Sequence, residues 1–341
     1  MPTTETIARN TSAAVRSEVD HTILDLIGNT PLVRLKSTVR DIPHSVYAKL
    51  EFLNPTGSVK DRVALFVLTE AGRRGLIKPG DLVIDNSSGN TAVSVAMVAR
   101  QLGYRAMFTV PDKTSQEKVD LIRAMGAEVV ICPTEVPHDD PRSYYSSARR
   151  IAKERGAYLV DQYHNPLNIE AHYRTTGPEI WKQTGGQIDL FIAGIGTGGT
   201  LSGIAQYLKE VIPEIRVIAV DPVGSIFHDL FKFQKQSEPG RYYVEGIGTD
   251  TPCGAMDFSV VDEVIQADDR EAFAEARRLV MDEGLIVGGS AGSNMAALRK
   301  WTLSNPNLSG LNVVTLFADS GMRYLSKFLS DSWMNDKGFS V

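Results

Sequence analysis

Short apolar, β-branched runs alternate with longer amphipathic stretches along most of the chain. The runs at 47–53 (VYAKLEF), 81–85 (DLVID), 105–110 (RAMFTV), 128–132 (EVVIC), 190–194 (LFIAG), 217–220 (VIAV) and 313–317 (VVTLF) have the length and composition of buried strands. Between them, 61–75, 91–103, 115–127, 201–211, 270–284 and 294–301 read as helices. Gly75 after Arg73-Arg74 and Gly103 after Gln101-Leu102 mark helix ends. Such strand–helix–strand alternation predicts an α/β fold with mainly parallel sheets and helices on both faces. A length of 341 residues is long for one core, and no low-complexity linker divides it. Two α/β domains sharing a cleft are therefore expected, with an irregular excursion at 231–243.

Composition narrows the client more than the fold. Charged residues make up 23% of the chain, their signs interspersed, with a net charge of -5. That offers neither a nucleic-acid footprint nor a basic membrane-binding surface, so small molecules are the expected partners. No apolar run reaches the ~20 residues of a membrane helix. Residues 1–20 are polar, carry acids and lack a signal-peptide core, so a weakly ordered tail and a cytoplasmic protein are expected. Cys132 and Cys253 stand far apart, and the six histidines form no cluster, which supports neither a disulfide framework nor a metal site.

The chemistry gathers in four loops rich in Gly, Ser, Thr and Asn, at 54–62, 86–92, 194–203 and 287–294. Each follows an apolar run and opens a helix, and open α/β sheets bind ligands beyond the carboxyl ends of their strands. In GIGTGGT, Gly196, Gly198 and Gly199 let backbone N–H groups approach an anion at a helix N-terminus, with Thr197 and Thr200 as further donors. The same residues fit G-x-G-x-x-G, with Asp221 about 20 residues on where a ribose-binding acid would stand. A phosphate cradle and a nicotinamide oxidoreductase both fit that loop. Lys60 lies in NPTGSVKDR, with Ser58 as the expected N-cap of the helix that follows. It is either a solvated surface lysine or a partly desolvated one, poised to attack a carbonyl.

NPTGSVKDR, NSSGNT, GIGTGGTLSG, DPVGS, EGIGTD and GGSAGSN, in that order, resemble the motifs of the fold-type-II pyridoxal-phosphate enzymes. Within them the chain looks most like the cysteine synthase and cystathionine β-synthase branch, above all the latter's catalytic core, from about Ile23 to its C-terminus. The resemblance implies a tryptophan-synthase-β-like fold. A smaller mobile domain would comprise 21–31 and 54–164, and a larger one 32–53 and 165–341. It also implies that the 196–200 loop holds cofactor phosphate, which sets the nicotinamide reading aside and leaves Asp221 a structural acid.

By the same resemblance Lys60 would form the Schiff base and act as base, Asn90 would meet the ring's 3'-oxygen, and Ser290 the pyridine nitrogen. Ser87, Ser88 and Thr91 would clasp the substrate carboxylate with help from Gln162, and Tyr163 and Gly246 would lie along the substrate. A serine facing that nitrogen leaves it unprotonated, which favours loss of a β-substituent over transamination. The implied reaction is β-replacement on serine or an O-activated serine through an aminoacrylate, with homocysteine as acceptor. Sulfide, an amine, or simple elimination are the alternatives.

Ser87 and Ala92 depart from the family's T-S-G-N-T-G and put the exact pocket shape in doubt. The sequence ends soon after the last motif and has neither Cys nor His before His21, so regulatory nucleotide-binding repeats and a haem segment are not expected. A homodimer is.

Overall fold

In the computed structural model, which describes residues 22–137 and 139–339, the apolar runs pair into two sheets. The tail expected at 1–20 lies outside the described residues. In chain order, the first part carries β1 (Leu32–Arg34), β2 (Ser45–Leu50) and α1 (Lys60–Arg73). Next come β3 (Leu82–Asp85), α2 (Asn90–Gln101), β4 (Arg105–Pro111), α3 (Gln116–Ala124), β5 (Glu128–Cys132), α4 (Tyr144–Arg155) and β6 (Tyr158–Leu159). Two helices follow, α5 (Leu167–Arg174) and α6 (Thr176–Thr184), then β7 (Leu190–Gly194), α7 (Gly199–Val211), β8 (Arg216–Pro222) and α8 (Phe227–Phe233). The chain closes with β9 (Glu263–Ala267), α9 (Asp269–Glu283), α10 (Gly289–Ser304), β10 (Asn312–Phe317) and α11 (Asp331–Asp336).

One sheet has the order β5-β4-β3-β6 and is wholly parallel. The other has the order β1-β2-β10-β7-β8-β9, parallel except where β1 runs against β2. Parallel sheets need cover on both faces. Accordingly, all four residues of β3 are buried, and α2 is buried on every side from Thr91 to Ala99. The six-stranded sheet has one core layer around Trp301 and Met295 and another around Ile204 and Phe191. Parallel strands also put their carboxyl ends on one edge, so the loops after β3, β7 and β10 converge.

Three expectations are corrected. The strand expected at 47–53 stops at Leu50, and Glu51–Leu53 turn into a 3-10 helix that sends the fully buried Glu51 towards Arg62. Val59 rather than Ser58 is the N-cap of α1, although the Ser58 hydroxyl does accept the Lys60 N–H at 3.3 Å. The 231–243 excursion begins later than expected, because α8 runs to Phe233. Asp221 is buried at the end of β8 and accepts the His228 N–H at 2.9 Å, so it anchors the start of α8.

Candidate active site

Lys60 opens α1, and its position is fixed from below by ions rather than by a side-chain cap. Arg62, 3% exposed, donates Nε to Glu51 at 2.7 Å and Nη1 to Glu179 on α6 at 2.6 Å. Lys49 on β2 joins at 2.6 Å from Glu179, giving two cations and two carboxylates under the first turn of α1. Above that cluster the Lys60 side chain reaches the cleft. Burial pulls its ammonium down to about 8, while the Asp319 carboxylate and the Cys253 thiol act in the opposite direction. An amine with that pKa is substantially neutral near pH 8 and able to attack a carbonyl.

Lys60 faces a small pocket of about 50 Å³, shared with Asn90, Gly196, Thr197, Gly198, Thr200, Ser290 and Asp319. Gly198 has φ +93°, and a Cβ there would lie 2.5 Å from Met256 Cα, so the loop keeps this path only with glycine. The loop runs straight into α7, whose N-terminus faces the pocket with Thr197 and Thr200 beside it. Among the described residues, Lys60 is the one cation lining this pocket. Asn90 Nδ2 donates to Asp319 Oδ2 at 2.7 Å, and Tyr324 donates its hydroxyl to the same oxygen at 2.6 Å. Burial raises the pKa of Asp319, against those two hydrogen bonds, and its Oδ1 is buried without a partner.

The pocket opens into a cleft of about 550 Å³ that shares Lys60, Asn90, Gly196 and Thr197 with it. One wall is the loop after β3, with Ser87, Ser88 and Thr91 at the start of α2. Thr91 donates its hydroxyl to Gln162 Oε1 at 2.7 Å, which turns the amide nitrogen of Gln162 outward as a donor. Beneath this wall Asp85 is completely buried. The N–H groups of Asn86, Asp161 and Gln162 approach its oxygens without completing a well-formed hydrogen bond, and burial pushes its carboxyl up to about 7. At the outer rim Lys118 on α3 reaches Glu245 at 2.9 Å from across the cleft, and Lys327 contacts the same carboxylate. Burial alone would raise Glu245; the two ammonium groups outweigh it and hold the carboxyl low.

All the residues expected from the sequence meet here. Ser87, Ser88, Thr91, Gln162, Tyr163 and Gly246 line the cleft; Lys60, Asn90, Gly196, Thr197, Gly198, Thr200 and Ser290 line the inner pocket. Gly199 lies one step back, its backbone opening α7. Sequence reasoning missed Asp319 and the rim cluster of Lys118, Glu245 and Lys327. Asp319 carries a readable signal, an acid two residues after the apolar run VVTLF. The rim as a cluster has none: Glu245 opens the EGIGTD motif, but Lys118 and Lys327 come from segments more than 80 positions away from it.

A pocket bounded by a buried amine, a cation-free anion cradle and an aligned amide fits a phosphorylated aldehyde cofactor. Residues 23–319 match the family described as "Pyridoxal-phosphate dependent enzyme", and the chain belongs to that family. Its cofactor is accordingly pyridoxal phosphate. Among its curated relatives is "Cystathionine beta-synthase" of Apis mellifera, 43% identical over 320 residues, covering 93% of this chain and 63% of that protein. The chain thus spans less than two thirds of that relative. "Cysteine synthase 1" of Emericella nidulans is 38% identical over 322 residues, covering 93% of this chain and 86% of that one. A crystal structure of O-ureido-L-serine synthase superposes with a TM-score of 0.83 at 35% identity, over 93% of this chain and 99% of that one. Among the described residues, no helix is long and apolar enough to cross a membrane.

Proposed function

We propose that this chain catalyses β-replacement on serine or an O-activated serine, with homocysteine as the incoming nucleophile. The layout of the cleft carries the reading: one continuous space runs from Lys60, past a carboxylate-binding wall, to a rim bearing charges of both signs. Pyridoxal phosphate, once bound, supplies the electron withdrawal that acidifies the Cα–H and lets the β-substituent leave.

The chain's residues do the rest. Lys60 anchors the cofactor, takes the Cα proton on Nζ and returns it, a role suited to an amine titrating at about 8. Gly196, Thr197, Gly198, Gly199 and Thr200 hold the phosphate, Asn90 the 3'-oxygen, and the neutral hydroxyl of Ser290 the ring nitrogen. Ser87, Ser88, Thr91 and the start of α2 bind the donor's carboxylate, to which Gln162 offers its free amide N–H. Tyr163 and Gly246 border the path of the acceptor. At the rim, Lys118 and Lys327 suit the acceptor's carboxylate and Glu245 its ammonium. Sulfide has neither group, so a charged rim favours an amino-acid thiol.

The same reading includes movement of a unit made of 21–31 and 54–164 against 32–53 and 165–341, which shields the reacting centre from water, and a homodimer in solution, checked by its mass. The deciding experiment crosses serine, O-acetylserine and O-phosphoserine with homocysteine, sulfide and small amines, read by mass spectrometry. Homocysteine is expected to give the highest kcat/KM. A dominant sulfide or amine product overturns the acceptor assignment, and no product from any pair overturns β-replacement itself.

A further inference from the structure

Among the described residues, none of helix α5 lines the cleft or the inner pocket, yet two of its side chains, one turn apart, run into the 196–200 loop. Asn168 and His172 are buried to 1% and 0% exposure and lie on the same face at i and i+4. Asn168 Nδ2 lies 2.9 Å from Thr197 Oγ1, and His172 Nε2 lies 3.0 Å from Thr200 Oγ1. Close approach is built into the backbone: a Cβ on Gly199, the first residue of α7, would fall 2.2 Å from Asn168 Oδ1.

We propose that Asn168 and His172 are positioning residues. Each donates an N–H into one threonine of the loop, so that both hydroxyls keep their own protons for the cofactor phosphate. This rests on the reading of 196–200 as the phosphate site.

For Asn168 the direction of the bond follows from its far end. Asn168 Nδ2 also faces the Gln162 carbonyl at 2.8 Å, and a carbonyl only accepts, so that end of the amide is the nitrogen. Thr197 Oγ1 therefore accepts from Asn168, and its O–H is left to point at the anion.

For His172 the sense runs through Thr176. Thr175 gives its hydroxyl proton to the Ala171 carbonyl at 2.6 Å; Thr176 Oγ1 stands 2.8 Å from His172 Nδ1 and 3.4 Å from Thr175 Oγ1, so the imidazole is the nearer outlet for the Thr176 proton. With Thr176 donating to Nδ1, the ring carries its proton on Nε2 and donates to Thr200. The opposite tautomer would draw the Thr200 proton inward and turn a lone pair towards the phosphate. With Lys60 the one cation among the described lining residues, every hydroxyl donor counts, and an anion there selects the Nε2–H form. Burial, then the charges of Arg62 and Lys60, keep the ring neutral, as a single-tautomer relay requires.

The test compares pyridoxal phosphate dissociation from the holoenzyme of wild type, T197V, T200V, H172F, H172Q and the double variant H172F/T200V. H172F is expected to weaken retention about tenfold, the scale of one hydrogen bond to a charged group. H172Q, which can both accept from Thr176 and donate to Thr200, is expected to restore it. The double variant should be no worse than T200V alone, because His172 acts on the cofactor only through the Thr200 hydroxyl. Unchanged retention in H172F, or additive losses, overturns the proposal. If T197V and T200V themselves retain cofactor like wild type, the phosphate-site reading fails instead. Nitrogen-15 NMR of histidine-labelled wild-type holoenzyme gives an answer that needs no variant to fold. A His172 proton on Nε2 supports the relay, and a proton on Nδ1 overturns it.

Discussion

The inner pocket and the outer rim of the cleft are built on opposite plans. Inside, Lys60 and Asp319 are the ionisable side chains among the described lining residues; the 196–200 loop offers hydroxyls and backbone amides, and glycines hold its backbone against its neighbours. Outside, Lys118, Glu245 and Lys327 are ionisable side chains about one third exposed, drawn from separate segments. A preorganised loop of hydroxyls and backbone amides suits a resident group that must never be misplaced. Mobile charges in higher dielectric bind loosely and steer, which suits a co-substrate that arrives and leaves on every turnover. On the proposed reading, permanence belongs to the buried layer and exchange to the charged one.

The hardest way to break the inner plan is to remove its amine. Lys60→Ala is expected to lower kcat by about 10²–10⁴-fold, the usual weight of a positioned acid–base group, and steady-state assay against each donor reads it. Wild-type turnover would remove Lys60 from the mechanism. Next comes the ion cluster beneath. Arg62→Ala strands Glu51, which is wholly buried, and should cost about 3–5 kcal/mol in urea unfolding. A loss under 1 kcal/mol would mean that the cluster does not hold α1.

Asp85 sharpens the comparison through pH. Its carboxyl is raised from 3.8 to about 7, so the folded state holds a proton that the unfolded chain has released. The associated stability is complete below pH 4 and is lost as pH rises through about 7. Asp85→Asn should therefore match wild type near pH 4 and gain on it by at most about 1.4 kcal/mol per pH unit up to pH 7. A gap in unfolding free energy that stays flat with pH would contradict the burial of a free carboxyl there. The smallest effect belongs to the rim. Glu245→Gln should raise KM for homocysteine roughly fivefold, about 1 kcal/mol for a part-exposed pair, and leave KM for serine unchanged. Equal rises for both would erase the distinction between layers.

The same division explains what the sequence discloses. The seven strands that the apolar runs predict are all present, because most are covered on both faces and so mainly apolar, while the edge strand β5, only partly covered, still carries the run VVIC. β1, β6 and β9 escaped: the first two have three and two residues, and EVIQA is half-buried with a glutamate and a glutamine in it. Helices α5 and α6 escaped because the polar HYRTTGPE joins them with no spacing pattern. With α5 went Asn168 and His172, whose contacts depend on tertiary approach to α7. The inner pocket was legible because each wall is a local loop with its own motif. The rim was not, since only folding brings 118, 245 and 327 together.

The order of strands in the larger sheet also imposes a schedule on synthesis. Strand β2 ends at Leu50, but its parallel neighbour β10 begins at Asn312. At roughly 5–20 residues per second on a ribosome, β2 waits tens of seconds for its partner. The four-stranded sheet uses only residues between 82 and 159, so it is complete in the nascent chain long before then. Until β10 emerges, β2 presents an open edge, and β1 stands beside its other side as a short antiparallel cover.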